Sequence, residues 1–232
     1  MKVLDRVKEW DKTAETYDQW FRTKFGRYVF RIELGMLKRA LRGGGKKGRL
    51  LDVGCGTGLF TVSVAGDNFE KIGIDTSVNM ATRAKKRGVN VIVGDAHHLP
   101  FKSKVFDTVM FFTTLEFLRE EAALGEVHRI LIKGGGIIVG VHNLLNPWNM
   151  YRKIRARFKK KSFYKEIIYY SPWRLKDILR SEGFYVRSIF SCLFLPCLIR
   201  LPFIGTVASL FEKKLDYKHL GAILIAEAIA IK

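Results

Sequence analysis

Three glycines, at 54, 56 and 58, and one aspartate, at 75, are the residues of this 232-residue chain best spaced to do chemistry together. They lie in LLDVGCGTGLF (50–60) and KIGIDTS (71–77), each an apolar strand pattern running into a polar loop. A glycine loop at the carboxyl end of a first strand lets a ligand approach backbone where any Cβ would collide. An acid about 20 residues further on, ending the second strand, is placed to accept from ribose hydroxyls. Loop and acid together specify a nucleoside ligand. Position 59 is leucine, where a dinucleotide fingerprint needs its third glycine, so the nicotinamide class is excluded.

The elements that must hold these residues alternate. Helices are expected at 4–20 and 27–42, stopped by Gly43-Gly44-Gly45, then at 58–66, 78–87 and 119–131. Strands are expected at 49–53, 70–75, 90–94, 106–112 and 136–142, each a nearly continuous apolar run suited to a sheet covered on both faces. Ser171-Pro172 opens a helix to about 181, and strands at 184–193 and 221–231 complete the sheet. The pattern predicts one domain with a doubly wound α/β fold.

Beyond the loop and the acid, further segments carry a resemblance in register: WDKTAETYDQW (10–20), VGDAHHLPF (93–101), FDTVMFFTTLEFL (106–118) and RILIKGGGIIVGVHN (129–143). Together these resemble the class I S-adenosylmethionine-dependent methyltransferases, in the branch that includes quinone-precursor and other small-molecule methylating enzymes. The resemblance implies a mostly parallel, seven-stranded, Rossmann-like sheet with an antiparallel last strand. It divides the domain into an N-terminal helical arm (1–48), a cofactor-binding core (49–143), a lid insert (144–171) and a C-terminal helix and strand hairpin (172–232). S-adenosylmethionine is the implied cofactor and S-adenosylhomocysteine its product. Gly54, Gly56 and Gly58 would line the methionine end, with Asp52 and Thr57 in the same loop. Asp75 would accept from both ribose hydroxyls, Thr76 and Met80 would flank the adenine, and Asp95 with Ala96 would meet its amino edge. Phe112 and Thr113 would pass beneath the sulfonium, with Tyr17 closing the site from the arm.

Methyl transfer from a sulfonium is an in-line displacement that needs positioning and dryness more than acid–base groups. The candidates for a base are His142, ending the fifth strand, and Glu116, in the loop after the fourth. His97 and His98 read as solvated. No metal-ligand spacing occurs, and Cys55, Cys192 and Cys197 read as reduced thiols of a cytosolic protein.

The net charge of +19 is unevenly spread. Residues 1–49 hold 14 basic and 6 acidic side chains, residues 50–149 hold ten of each, and residues 150–182 hold 11 and 3. The expected core is neutral and the basic excess flanks it. The reading is a small or lipid-like acceptor, anionic or apolar. Transfer to tRNA or rRNA, and a cofactor-binding regulatory subunit without turnover, are the alternatives. The basic segments imply weak contact with nucleic acid or with an anionic membrane surface. Between 144 and 170, Tyr151, Phe158, Phe163 and Tyr164 alternate with lysines and arginines. Such a segment is expected to order only over something apolar, as a lid does. The apolar run 188–211 is broken by Pro196, Arg200, Pro202 and Gly205. It is expected to form strand, helix (near 205–215) and strand rather than a membrane span, which leaves a cytoplasmic protein with peripheral membrane contact as the alternative.

Overall fold

The computed structural model describes residues 3–44, 48–64, 66, 69–159, 162–194 and 219–231. The helix expected near 205–215, most of the apolar run after Phe194, and Cys197 lie outside them. Seven strands form one sheet: β1 (Gly48–Val53), β2 (Phe69–Asp75), β3 (Asn90–Val93), β4 (Phe106–Phe112), β5 (Leu131–His142), β6 (Phe184–Cys192) and β7 (Ile223–Ala230). Their order is β3-β2-β1-β4-β5-β7-β6, and β7 alone runs antiparallel to both of its neighbours. The order reverses between β1 and β4, where parallel sheets open a crevice for ligands.

Helices cover both faces, as the strand composition requires. α3 (Leu59–Val64), α4 (Val78–Lys86) and α5 (Glu120–Ile130) connect the parallel strands. α2 (Lys24–Gly44) packs on β5 and β7, and α1 (Val3–Arg22) lies across α2 and α4. Ser77 caps α4 by accepting from the Met80 N–H, and Ser171 caps α7 (Pro172–Ser181) the same way through Arg174. The main cluster packs Val53, Ile74, Phe111, Val139, Tyr170 and Leu224 with little or no exposure. Burial of each such side chain contributes about 2 kcal/mol.

Two elements differ from expectation. β5 begins at Leu131, five residues early, because Leu131 pairs with Phe106 before the register shifts at Thr108–Gly136. The lid insert contains a helix, α6 (Pro147–Arg157), started by Asn146 and by Pro147 in its first turn. A ladder of three fully buried amides ties this helix down. Asn143 Nδ2 donates to the carbonyls of His219 and Gly221, and Asn146 Nδ2 to that of Leu220. Asn149 Nδ2 donates to the carbonyls of Asn143 and Ala222. The lid therefore stands on the ends of β5 and β7. Tyr151 and Phe158 remain exposed on α6, contrary to the expectation that an apolar partner covers them; Tyr151 instead stacks on Trp148 at 5.4 Å. Among the described residues no helix is long and apolar enough to cross a membrane.

Candidate active site

The β1–α3 turn folds over the end of β2. The Gly54 N–H donates to the Ile74 carbonyl at 2.7 Å, and the Gly56 N–H donates to Asp75 Oδ2 at 2.8 Å. Asp75 Oδ1 accepts from the Ser77 N–H at 2.9 Å. Burial pushes the Asp75 carboxyl up, and these backbone donors pull it back. Gly54 sits at φ +73°, and a Cβ there would come within 2.5 Å of the Thr114 side chain, so only glycine fits the turn. Gly58 stands behind the loop, against Ala84 and Val89, and seats helix on strand.

A cavity of about 370 Å³ opens above this turn. Of the residues expected to bind cofactor, Tyr17, Asp52, Gly54, Gly56, Thr57, Asp75, Thr76, Met80, Ala96, Phe112 and Thr113 line it; Gly58 and Asp95 do not. The Asp95 carboxylate turns away to the N–H and Nδ1 of His97, at 2.9 and 2.6 Å. That contact and the nearby His98 outweigh burial and hold it below the usual carboxylate range. The cavity wall at this segment is Gly94 and Ala96. His97 is also not solvated, because its Nε2 accepts from the Arg119 N–H at 3.0 Å.

Asp52, beneath the loop, is buried with one hydrogen bond, from Thr61 Oγ1 at 2.6 Å. Burial pushes its carboxyl up to about 7. Cys55 is buried between the loop and Gly73, and desolvation followed by the Asp52 charge pushes its thiol far up. Thr113 takes φ +53°, a costly conformation for a β-branched residue, held by its N–H donating to the Gly140 carbonyl at 2.8 Å. Such stored strain clusters at functional sites.

The arm closes the cavity more firmly than Tyr17 alone would suggest. Trp10, Ala14, Tyr17 and Phe21 recur at three- and four-residue steps, and Trp10 and Tyr17 reach the cavity. Asp11 and Asp18, seven residues apart, act as clamps. Asp11 Oδ1 accepts from Ser77 Oγ at 2.5 Å and from the Asn79 N–H at 3.1 Å. Asp18 accepts from Thr57 Oγ1 at 2.8 Å and pairs with Arg87 at 2.5 Å. Sequence reading missed both clamps, because their partners lie 39 or more residues away. It also missed Phe60, Thr114, Phe117 and Leu118 in the wall.

The two base candidates form a pair. His142 Nδ1 lies 2.8 Å from Glu116 Oε1, and the His142 N–H donates to Oε2 at 2.9 Å. Glu116 is fully buried, and neither residue belongs to the cavity lining.

Residues 51–139 match a family model described as a methyltransferase domain. An uncharacterized protein of Methanocaldococcus jannaschii, MJ1123, is 36% identical over 176 residues, 75% of this chain and 80% of the relative. A Thermotoga maritima structure, described as a SAM-dependent methyltransferase and possible histamine N-methyltransferase, superposes with a TM-score of 0.72. It is 28% identical, with 95% of this chain and 97% of that chain covered. The demethylmenaquinone methyltransferase of Mycolicibacterium vanbaalenii is 35% identical over 92 residues, 39% of this chain and 40% of that protein. The chain belongs to the class I S-adenosylmethionine-dependent methyltransferases. S-adenosylmethionine is its cofactor, and the carboxylates around the cavity suit a ligand that carries a sulfonium cation.

Proposed function

We propose that this methyltransferase transfers the sulfonium methyl to a small or lipid-like acceptor with an apolar body, by in-line displacement. The observation that carries the reading is the aromatic wall of the cavity, to which Trp10, Tyr17, Phe60, Phe112 and Phe117 all contribute. Such a wall excludes water and fixes the approach of a ring or chain, which is the main requirement of this reaction. In this reading Asp75 accepts from the ribose hydroxyls and Gly54 and Gly56 pass the methionine portion. Thr76, Met80 and Ala96 hold the adenine, and the strained Thr113 lies beneath the sulfur. Glu116 and His142 are assigned to holding the loop after β4 against the end of β5, because the carboxylate is spent on the histidine's ring and main chain. An RNA acceptor is not needed by a cavity of this size, and family membership leaves a turnover-free regulatory subunit without support.

The test is to supply the full chain with cofactor carrying a labelled methyl group together with a cell extract. Label is expected in the small-molecule and lipid fractions. Label recovered in RNA would overturn the reading.

A further inference from the structure

α6 divides its circumference three ways. Asn149 and Ala156 are buried, and Arg152 turns in beside them to lie 3.9 Å from the centre of the Tyr164 ring. On the outward side Met150, Ile154 and Phe158 recur at four-residue steps with Tyr151 beside them, a stripe roughly 100° wide at 3.6 residues per turn. Met150 is 44% exposed, Tyr151 49%, Ile154 53% and Phe158 86%, and none of them lines the cavity. Arg157 borders the stripe on one edge and Arg155 on the other, and Lys159 follows its end. All three cations are exposed, and among the described residues none forms an ion pair. Residues 144–165 hold eight basic side chains and no acidic one. Cations alone would describe a solvated face, but four large apolar side chains in register among them mark a surface that meets a partner. The partner must offer hydrocarbon and negative charge together. Met150 and Ile154, near the middle of the stripe, give a nucleic-acid base no ring to stack on. A second copy of the chain would bring the same cations to the same face. A bilayer of anionic phospholipid meets both demands, with phosphates for the cations and acyl chains for the stripe.

We propose that α6 is a membrane-docking helix that lies in the headgroup layer of an anionic phospholipid bilayer. Met150, Ile154 and Phe158 enter the acyl boundary, and the stacked pair of Trp148 and Tyr151 sits at the interface, where amphipathic rings collect. Arg155, Arg157 and Lys159 meet the lipid phosphates. The asparagine ladder fixes the start of α6 to the ends of β5 and β7, so the docked helix carries the protein in one orientation. β4 runs beside β5, pairing Phe112 with Gly140, and its end supplies Phe112 and Thr113 to the cavity. Docking therefore brings toward the bilayer the edge of the sheet at which the cofactor turn lies. The proposal goes beyond the acceptor reading and does not depend on it.

The test is flotation of the full chain with vesicles of phosphatidylcholine, either alone or mixed with an equal share of phosphatidylglycerol, in about 0.15 M salt. The chain should float with the anionic vesicles and stay behind with the neutral ones. Ile154→Ser together with Phe158→Ser changes no charge and should weaken that binding at least about tenfold, because two side chains no longer enter hydrocarbon. Arg155→Gln together with Arg157→Gln should weaken it roughly 25-fold, about fivefold for each cation. Both variants should melt with the parent and bind S-adenosylhomocysteine as it does. A reading that needs no variant is hydrogen exchange of the parent: amides of 150–158 should gain protection with anionic vesicles and none with neutral ones. A parent that ignores anionic vesicles, or shows no such protection, overturns the proposal. So does anionic binding that survives Ile154→Ser with Phe158→Ser, which would be the diffuse pull of the +19 charge. If the serine variant instead frees the chain from tRNA, or from self-association in sedimentation, the face has another occupant and the proposal is wrong.

Discussion

Replacing Asp75 by asparagine changes almost no volume but removes an acceptor where three sets of donors converge. Both carboxylate oxygens are already engaged, Oδ2 by the Gly56 N–H at 2.8 Å and Oδ1 by the Ser77 N–H at 2.9 Å. A carboxylate offers about four lone-pair sites, which leaves two for a ribose diol. Asparagine offers one acceptor oxygen, so whichever way its amide turns, an NH2 group faces a backbone N–H. In the empty protein that mismatch costs about 1–3 kcal/mol and loosens the glycine turn. In the complex, one ribose hydroxyl also loses a charge-assisted bond, about 1.5–3 kcal/mol more. Calorimetry with S-adenosylhomocysteine should therefore show roughly 10- to 100-fold weaker binding. An analogue lacking the 2′-hydroxyl should lose a similar factor against the parent protein and little against the variant, since both changes delete the same bond. A variant that binds within about threefold of the parent, or full additivity of the two changes, would refute the ribose assignment.

Three further outcomes are expected. The raised carboxyls of Asp52, about 7, and Glu33, about 8, hold protons in the folded state that the unfolded chain has released. Stability of the empty enzyme should therefore fall as pH rises from about 5 to 8, and Glu33→Gln should flatten part of that slope; melting curves that rise across this window would contradict the burial argument. Binding to tRNA should be weak and should fall steeply with salt; a nanomolar complex at about 0.15 M salt would favour an RNA acceptor. In hydrogen exchange, amides of 150–158 should be open in the empty enzyme and gain protection with cofactor and acceptor bound, whereas 143–149, held by the asparagine ladder, should be protected throughout; full protection of 150–158 without ligand would end the lid reading.

The central strands β1, β4, β5 and β7 were legible because each carries a nearly continuous buried apolar run, so composition alone marks them. The cofactor turn was legible because only glycine can stand where Gly54 meets Thr114. α6 was not, because its apolar residues Tyr151, Ile154 and Phe158 lie on an exposed face and do not report a core-facing stripe. Its start, Asn146-Pro147, carried the same signal as Ser171-Pro172, which was read correctly. Asp95 occupied the expected place in sequence but turned to His97, because a neighbouring imidazole and N–H offered nearer partners. The clamps of Asp11 and Asp18 depend on where α1 crosses α4 and the glycine loop, which local spacing does not fix.

Cys55 gives the cofactor turn an internal clock. Its sulfur is packed so closely against Gly73 that a methyl group there would come within 2.7 Å, and the desolvated thiol does not ionise while the turn is closed. An alkylating reagent can react with it only during excursions in which the turn lifts from β2. The rate at which this one side chain is labelled, separated by peptide mapping from Cys192 and Cys197, therefore measures how often an empty methyltransferase opens its own door. Saturating cofactor should slow that rate by the factor with which it holds the turn shut.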